Sequence, residues 1–236
     1  MTWSIIARDS ATGQIGIAVA TRFFAVGARV PYIVPGIGGI ATQALTNPYY
    51  GIDGVKLLRE GRHPRDIVDT LIAADTGRES RQVHILDAGG RIASHTGSEC
   101  VDWCGHVEGR GFSIAGNMLA GGRVLDDTAA AYLASQSLPF ARRLIAAMRA
   151  GEAAGGDKRG RQSAALLIYG DEEWSDLDLR VDDHGDPLDE LQRLEQVSRE
   201  RWVHFRKYVP TRKNPAGITD RATIDAGIEA AVAGEK

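Results

Sequence analysis

The chain has 236 residues, 43% of them apolar, with 28 glycines, an aromatic share of 6% and a formal net charge of −3. This length suits one large domain with its own core, and the slight acidity argues against a general nucleic-acid binder, which needs a basic surface to neutralise phosphates. No apolar run approaches the roughly 20 residues that cross a bilayer, and Ile5-Ile6 gives way at once to Arg8-Asp9 rather than to a leader's apolar core, so a cytoplasmic protein with no membrane partner is expected.

In chain order, Trp3 to Arg8, a polar turn over residues 9–13 and an apolar run over residues 14–21 predict a hairpin. Residues 38–45, small and β-branched, read as a third buried strand that ends at Thr46-Asn47-Pro48. Two helices follow over residues 50–59 and 64–74, the second with Pro64 at a first helical position and Ile67, Val68, Leu71 and Ile72 in a stripe. Residues 82–87 and 91–96 predict a second hairpin around Ala88-Gly89-Gly90, and residues 112–117 another strand. Two more helices are expected over residues 124–134 and 140–150, then a strand pair over residues 163–169 and 177–182. A helix with Leu188, Leu191, Leu194 and Val197 in register closes the series. The tail beyond Tyr208 reads either as a terminal helix or as a flexible extension, giving a domain over residues 1–207 and an extension over residues 208–236.

Strand runs alternating with helix pairs predict antiparallel sheets with helices on their outer faces. Two such sheets packed together give an α+β fold, a four-layer αββα sandwich. Its helical outer faces suit a homo-oligomer.

Thr2 carries the sharpest chemistry. It is small enough for an aminopeptidase to remove Met1, and a bare threonine terminus holds a hydroxyl and an amine on adjacent carbons. An α-amino group with a pKa of about 7.7 to 8.0 is suited to take the hydroxyl proton. A strand that begins here fixes that terminus inside a sheet instead of letting it fray.

The runs MTWSIIARD, IGIAVATRFFAVGARVPY, GIATQALTNPYYG, AGNMLAG, AAGGDKRGRQSAALL and LDLRVDDH resemble the bacterial and archaeal family known as domain of unknown function 1028, placed within the N-terminal nucleophile (Ntn) hydrolase superfamily. They span roughly the first 190 residues. The resemblance implies the αββα sandwich and an amide-bond hydrolase and supplies no substrate; a small amide or peptide-like substrate is expected, and, the chain having no cofactor motif, no cofactor. In such an enzyme Thr2 is both nucleophile and base.

Around Thr2, Asn117 at a strand end is the candidate oxyanion donor, its alternative being a turn asparagine that serves its own backbone. Arg22 falls at the same sheet end as Thr2, where a positive charge would lower the amine pKa or hold a substrate carboxylate. Gln43 and Asn47 offer neutral donors for a polar ligand, or else serve the turn before Pro48; Asp183 follows the face shared by Asp178, Arg180 and Asp182, a segment that reads either as part of the substrate pocket or as an ion-paired solvated face. The glycine-rich residues 155–163 lie between a helix and a strand, the reverse of a phosphate loop, and read as a loop beside the site. His95, Cys100, Cys104 and His106 lack the paired spacing of a zinc site, and no metal is expected. A thiol hydrolase built on Cys100, and a ligand-binding protein that keeps Met1 and turns nothing over, are the alternatives.

Overall fold

The computed structural model describes residues 2–234. Strand β1 (Thr2–Arg8) alternates: Trp3, Ile5 and Ala7 pack among helix side chains, while Ile6 faces the opposite way, with Thr2 and Ser4 on its side. At the turn Gly13 takes φ +77° and its N–H donates to the Asp9 carbonyl at 2.9 Å, while the Thr12 hydroxyl donates to the Asp9 carboxylate at 2.7 Å. The chain then returns as β2 (Ile15–Thr21), buried along its whole length.

A short 3-10 turn at Val26–Ala28 leads into β3 (Pro31–Val34) and β4 (Gly38–Ala44). Helix α1 (Pro48–Arg59) starts where Asn47 accepts the Tyr49 N–H at 3.0 Å and Pro48 fills the first turn, a position that needs no N–H. In α2 (Pro64–Ala73) the His63 ring and Pro64 play the same two parts. Next come β5 (Arg81–Asp87), β6 (Ile92–Thr96), β7 (Gly105–Gly109) and β8 (Phe112–Asn117), then α3 (Arg123–Ala134) and α4 (Phe140–Ala153). The chain continues with β9 (Ser163–Tyr169), β10 (Leu177–Val181), α5 (Pro187–Glu200), α6 (Trp202–Phe205) and α7 (Arg221–Gly234).

All pairings within the two sheets are antiparallel; one sheet runs β10-β9-β2-β1-β8-β7 and the other β3-β4-β5-β6. Helices α1 and α2 cover the four-stranded sheet, α3, α4 and α5 the six-stranded one, and the bare faces meet. The fold is therefore an αββα sandwich with three apolar layers. Small residues let the layers approach: a Cβ on Gly16 of β2 would lie 2.6 Å from Leu144 of α4.

Two strands escaped the sequence reading. Both lie at sheet edges, as the predicted β6 and β10 do, but β3 has only four residues and opens on a proline, and β7 alternates only between half-buried and exposed residues. The tail forms a helix, α7, which buries Ile224 and Ile228 and is tied to the turn before α6 by the Arg201–Asp225 ion pair. No helix among the described residues is long and apolar enough to cross a membrane.

Candidate active site

Strand β1 lies inside the six-stranded sheet, so its first residue is held from both sides. Thr2 stands opposite Asn117 of β8, and Trp3 opposite Ala20 of β2. Thr2 is 7% exposed, with its Oγ 3.2 Å from the Thr21 hydroxyl. It borders a cleft of about 390 Å³ whose walls are mainly apolar, among them Phe23, Val26, Tyr32 and Leu45. Arg29 is the one charged residue of that lining, its guanidinium 5.8 Å from the centre of the Phe23 ring. Three residues other than glycine take left-handed backbone angles among the described residues: Ala25 (φ 55°), Ala44 (φ 68°) and Met118 (φ 57°). Ala44 lines the cleft, Ala25 lies between Phe23 and Val26, and Met118 follows Asn117. Such strain persists only where surrounding structure enforces it.

Below Thr2 the space between the sheets is polar. The Thr2 carbonyl oxygen is 3.4 Å from Asn117 Nδ2 and 3.5 Å from Gln43 Nε2. Gln43 Nε2 also donates to the Ala115 carbonyl (3.0 Å) and to Gln82 Oε1 (2.8 Å), and Gln82 Oε1 accepts from Asn117 as well (3.0 Å). Gln82 Nε2 in turn reaches the Gly105 and Gly116 carbonyls at 3.0 and 2.9 Å. Because its nitrogen faces a carbonyl, Gln43 must turn its oxygen to Ser4, whose hydroxyl donates at 2.7 Å. That single proton is then used, so His84 Nε2, 2.9 Å away, carries a hydrogen and donates to Ser4. His84 Nδ1 accepts from Ser113 at 2.9 Å. Burial, with the charge of His106 adding to it, brings the His84 pKa down from 6.5 to about 3, and the ring is neutral.

A family model described as "Family of unknown function (DUF1028)" matches residues 2–191. The chain belongs to this family. A crystal structure of the DUF1028 protein SPO2555 from Silicibacter pomeroyi is 36% identical with a TM-score of 0.86, the match covering 93% of this chain and 96% of that one. Anbu (ancestral beta-subunit) from Yersinia bercovieri aligns at 12% identity and a TM-score of 0.41, over 83% of this chain and 94% of that one. No curated protein matches the sequence.

In this DUF1028 protein Asn117 does not point a spare donor into the cleft. Its amide nitrogen faces Gln82 and the Thr2 main chain, so the geometry gives it a part in holding Thr2 rather than in meeting an oxyanion. Gln43 is fully buried between the sheets, not presented to a ligand, because the two-residue period turns it inward from β4. Asn47 is taken up by its helix cap and by the Asp75 carboxylate, 3.0 Å from its Nδ2. That contact, with further hydrogen bonds including one from Arg81, holds Asp75 well below the usual carboxylate range against the opposing effect of burial. Arg22 does sit at the Thr2 end of the sheet, yet its guanidinium donates to the Arg159 carbonyl at 2.9 Å and its N–H to Asp157 at 2.7 Å, anchoring the glycine-rich loop. Asp183 is exposed and accepts from Gln162 at 3.1 Å, while Arg180 pairs with Asp182.

Arg29, Gln82 and His84 are not among the residues the sequence marks for the site. Gln82 and His84 alternate with Val83 and Ile85 in a strand otherwise fit for a core, and that polar face was the available signal. Arg29 lies within one of the family runs but follows a turn, so no period marks it. Among the described residues no group of three or more His, Cys, Asp and Glu is placed to hold a metal ion. Cys100 is buried and its thiol is pushed up to about 11, chiefly by burial and next by Cys104, which disfavours the thiolate a nucleophile needs.

Proposed function

We propose that the protein is an amide-bond hydrolase of the N-terminal nucleophile type, with Thr2 as nucleophile. The observation that carries this reading is the position of Thr2: on a central strand, nearly buried, at the border of a walled cleft. Met1 lies outside the described residues, and the mechanism requires its removal.

In the proposed reaction the free α-amine of Thr2 takes the proton from Oγ, and Oγ attacks the amide carbonyl to form a tetrahedral intermediate. The C–N bond then breaks as the amine's proton passes to the leaving nitrogen. The ester formed on Thr2 is cleaved by water, which gives one proton to the same amine and its oxygen to the acyl group; the proton then returns to Oγ. Gln43 and Asn117 keep the main chain of Thr2 in place through its carbonyl, which favours a fixed attack geometry. The apolar cleft walls with the one guanidinium of Arg29 suit an apolar acyl group that also bears a carboxylate.

The test combines the intact mass of the purified protein with a turnover screen over monoanilides of dicarboxylic acids, whose acyl group keeps a free carboxylate. A mass that starts at Thr2, turnover abolished in Thr2→Ala and partly kept in Thr2→Ser is the expected result. Active protein that retains Met1, or Thr2→Ala protein that turns over at the wild-type rate, overturns it.

A further inference from the structure

At the opposite end of β1, about 20 Å from Thr2 at 3.3 Å per residue, lies a second cleft of about 540 Å³. Three arginines from three parts of the chain line it: Arg8 from the end of β1, Arg110 from the turn between β7 and β8, and Arg143 from α4. Bringing three cations to one concavity is unfavourable unless something answers their charge. Among the described residues the only acidic partner is Asp9, 3.5 Å from Arg143; neither Arg8 nor Arg110 has one. The buried Nε atoms of Arg8 and Arg143 lack hydrogen-bond partners. Arg143 is held firmly, with its guanidinium 5.7 Å from the ring centres of both Tyr132 and Phe140. Gly90 and Gly111 form the rim in left-handed conformations, and a Cβ on Gly90 would meet nothing within 4 Å, so that side stays open.

We propose that this cleft binds the phosphate group of a small molecule. Guanidinium groups from three directions match a tetrahedral oxyanion: Arg8 and Arg110 offer donors to it, while Arg143, whose Nη2 already donates to the Gln136 and Leu138 carbonyls, adds its charge. A concave site of this size takes a discrete ligand, and the exposed side chain of Leu133 on its wall gives the organic part of a phosphate ester a surface to lie on.

The full chain is titrated by calorimetry with inorganic phosphate and with phenyl phosphate, chloride serving as the control at matched ionic strength. Saturable binding of phenyl phosphate, tighter than that of free phosphate, is expected. It should weaken about tenfold or more in Arg8→Gln and in Arg110→Gln, the effect of losing a charge-assisted hydrogen bond. Arg65→Gln, which removes an exposed charge from α2, should leave it unchanged. Thermal melts of each variant establish that it is folded. No saturable binding of either probe, or binding that survives both cleft substitutions in folded protein, or an equal loss in Arg65→Gln, overturns the proposal.

Discussion

His84 offers a quantitative test of the polar layer beneath Thr2. Its ring is wholly buried between Ser4 and Ser113, and its pKa falls from 6.5 to about 3. Between those values the unfolded chain takes up a proton that the native chain refuses. The stability this group contributes is therefore complete above pH 6.5 and is lost as pH falls toward 3, at a limiting slope of about 1.4 kcal/mol per unit. Going from pH 7 to pH 5 the loss amounts to about 2 kcal/mol. In His84→Gln the amide nitrogen can still donate to Ser4 and the amide oxygen can still accept from Ser113, so the layer keeps its hydrogen bonds without a titrating group. Urea unfolding of both proteins at the two pH values isolates the histidine from every other ionisable residue. The wild type should lose about 2 kcal/mol more than the variant. Parallel losses would mean that the native ring is solvated or already charged, and the donor order derived for Ser4, His84 and Ser113 would fall with it.

Gln82→Leu removes the shared acceptor of Gln43 and Asn117 and the donor to two carbonyls. At about 1–3 kcal/mol for each buried group left unpaired, the unfolding free energy measured in urea should drop by at least about 3 kcal/mol. Gly51→Ala in α1 sets a Cβ 2.2 Å from the Tyr32 ring, and a melting experiment should show about 1–3 kcal/mol of destabilisation. Because Tyr32 also lines the Thr2 cleft, the same substitution should raise KM in any turnover assay that detects activity. Iodoacetamide at pH 7.5 should modify Cys104 before Cys100 in folded protein, since Cys100 is the more buried thiol, and peptide mass spectrometry reads the order.

Most of the architecture is legible in the sequence because periodicity reports burial. The 64–73 helix shows its stripe, and the first hairpin shows its turn. Edge position alone does not hide a strand, since β6 and β10 are edges as well and are legible; Pro31–Val34 is only four residues long and opens on a proline, and Gly105–Gly109 begins and ends in glycine, so neither carries a readable period. For the site, Thr2 stands out in the sequence as a threonine after Met1 on a strand that starts at once, and Asn117 only as a polar residue at a strand end; the register of β1 against β8 sets the two opposite one another. What a linear reading does not give is direction across the sandwich. Gln43 and Asn117 are polar residues at strand ends, a pattern equally compatible with facing a ligand or a second sheet, and only the meeting of β4 and β5 with β1 and β8 decides that they face inward. Arg29 reaches the cleft through tertiary folding alone.

The placement of β1 also bears on when the protein is made ready for work. Thr2 is followed closely by its partner strand β2, but its other neighbour, Asn117, is 115 residues away. At 5–20 residues per second the ribosome takes roughly 6 to 23 s to bridge that distance. During that interval β8 is not yet there to pair with β1, whereas in the folded chain Thr2 is almost closed off from solvent. The removal of Met1 that the proposed mechanism requires is therefore expected on the nascent chain, and slower translation through the first half of the message should raise the fraction of protein that carries a free amine at Thr2.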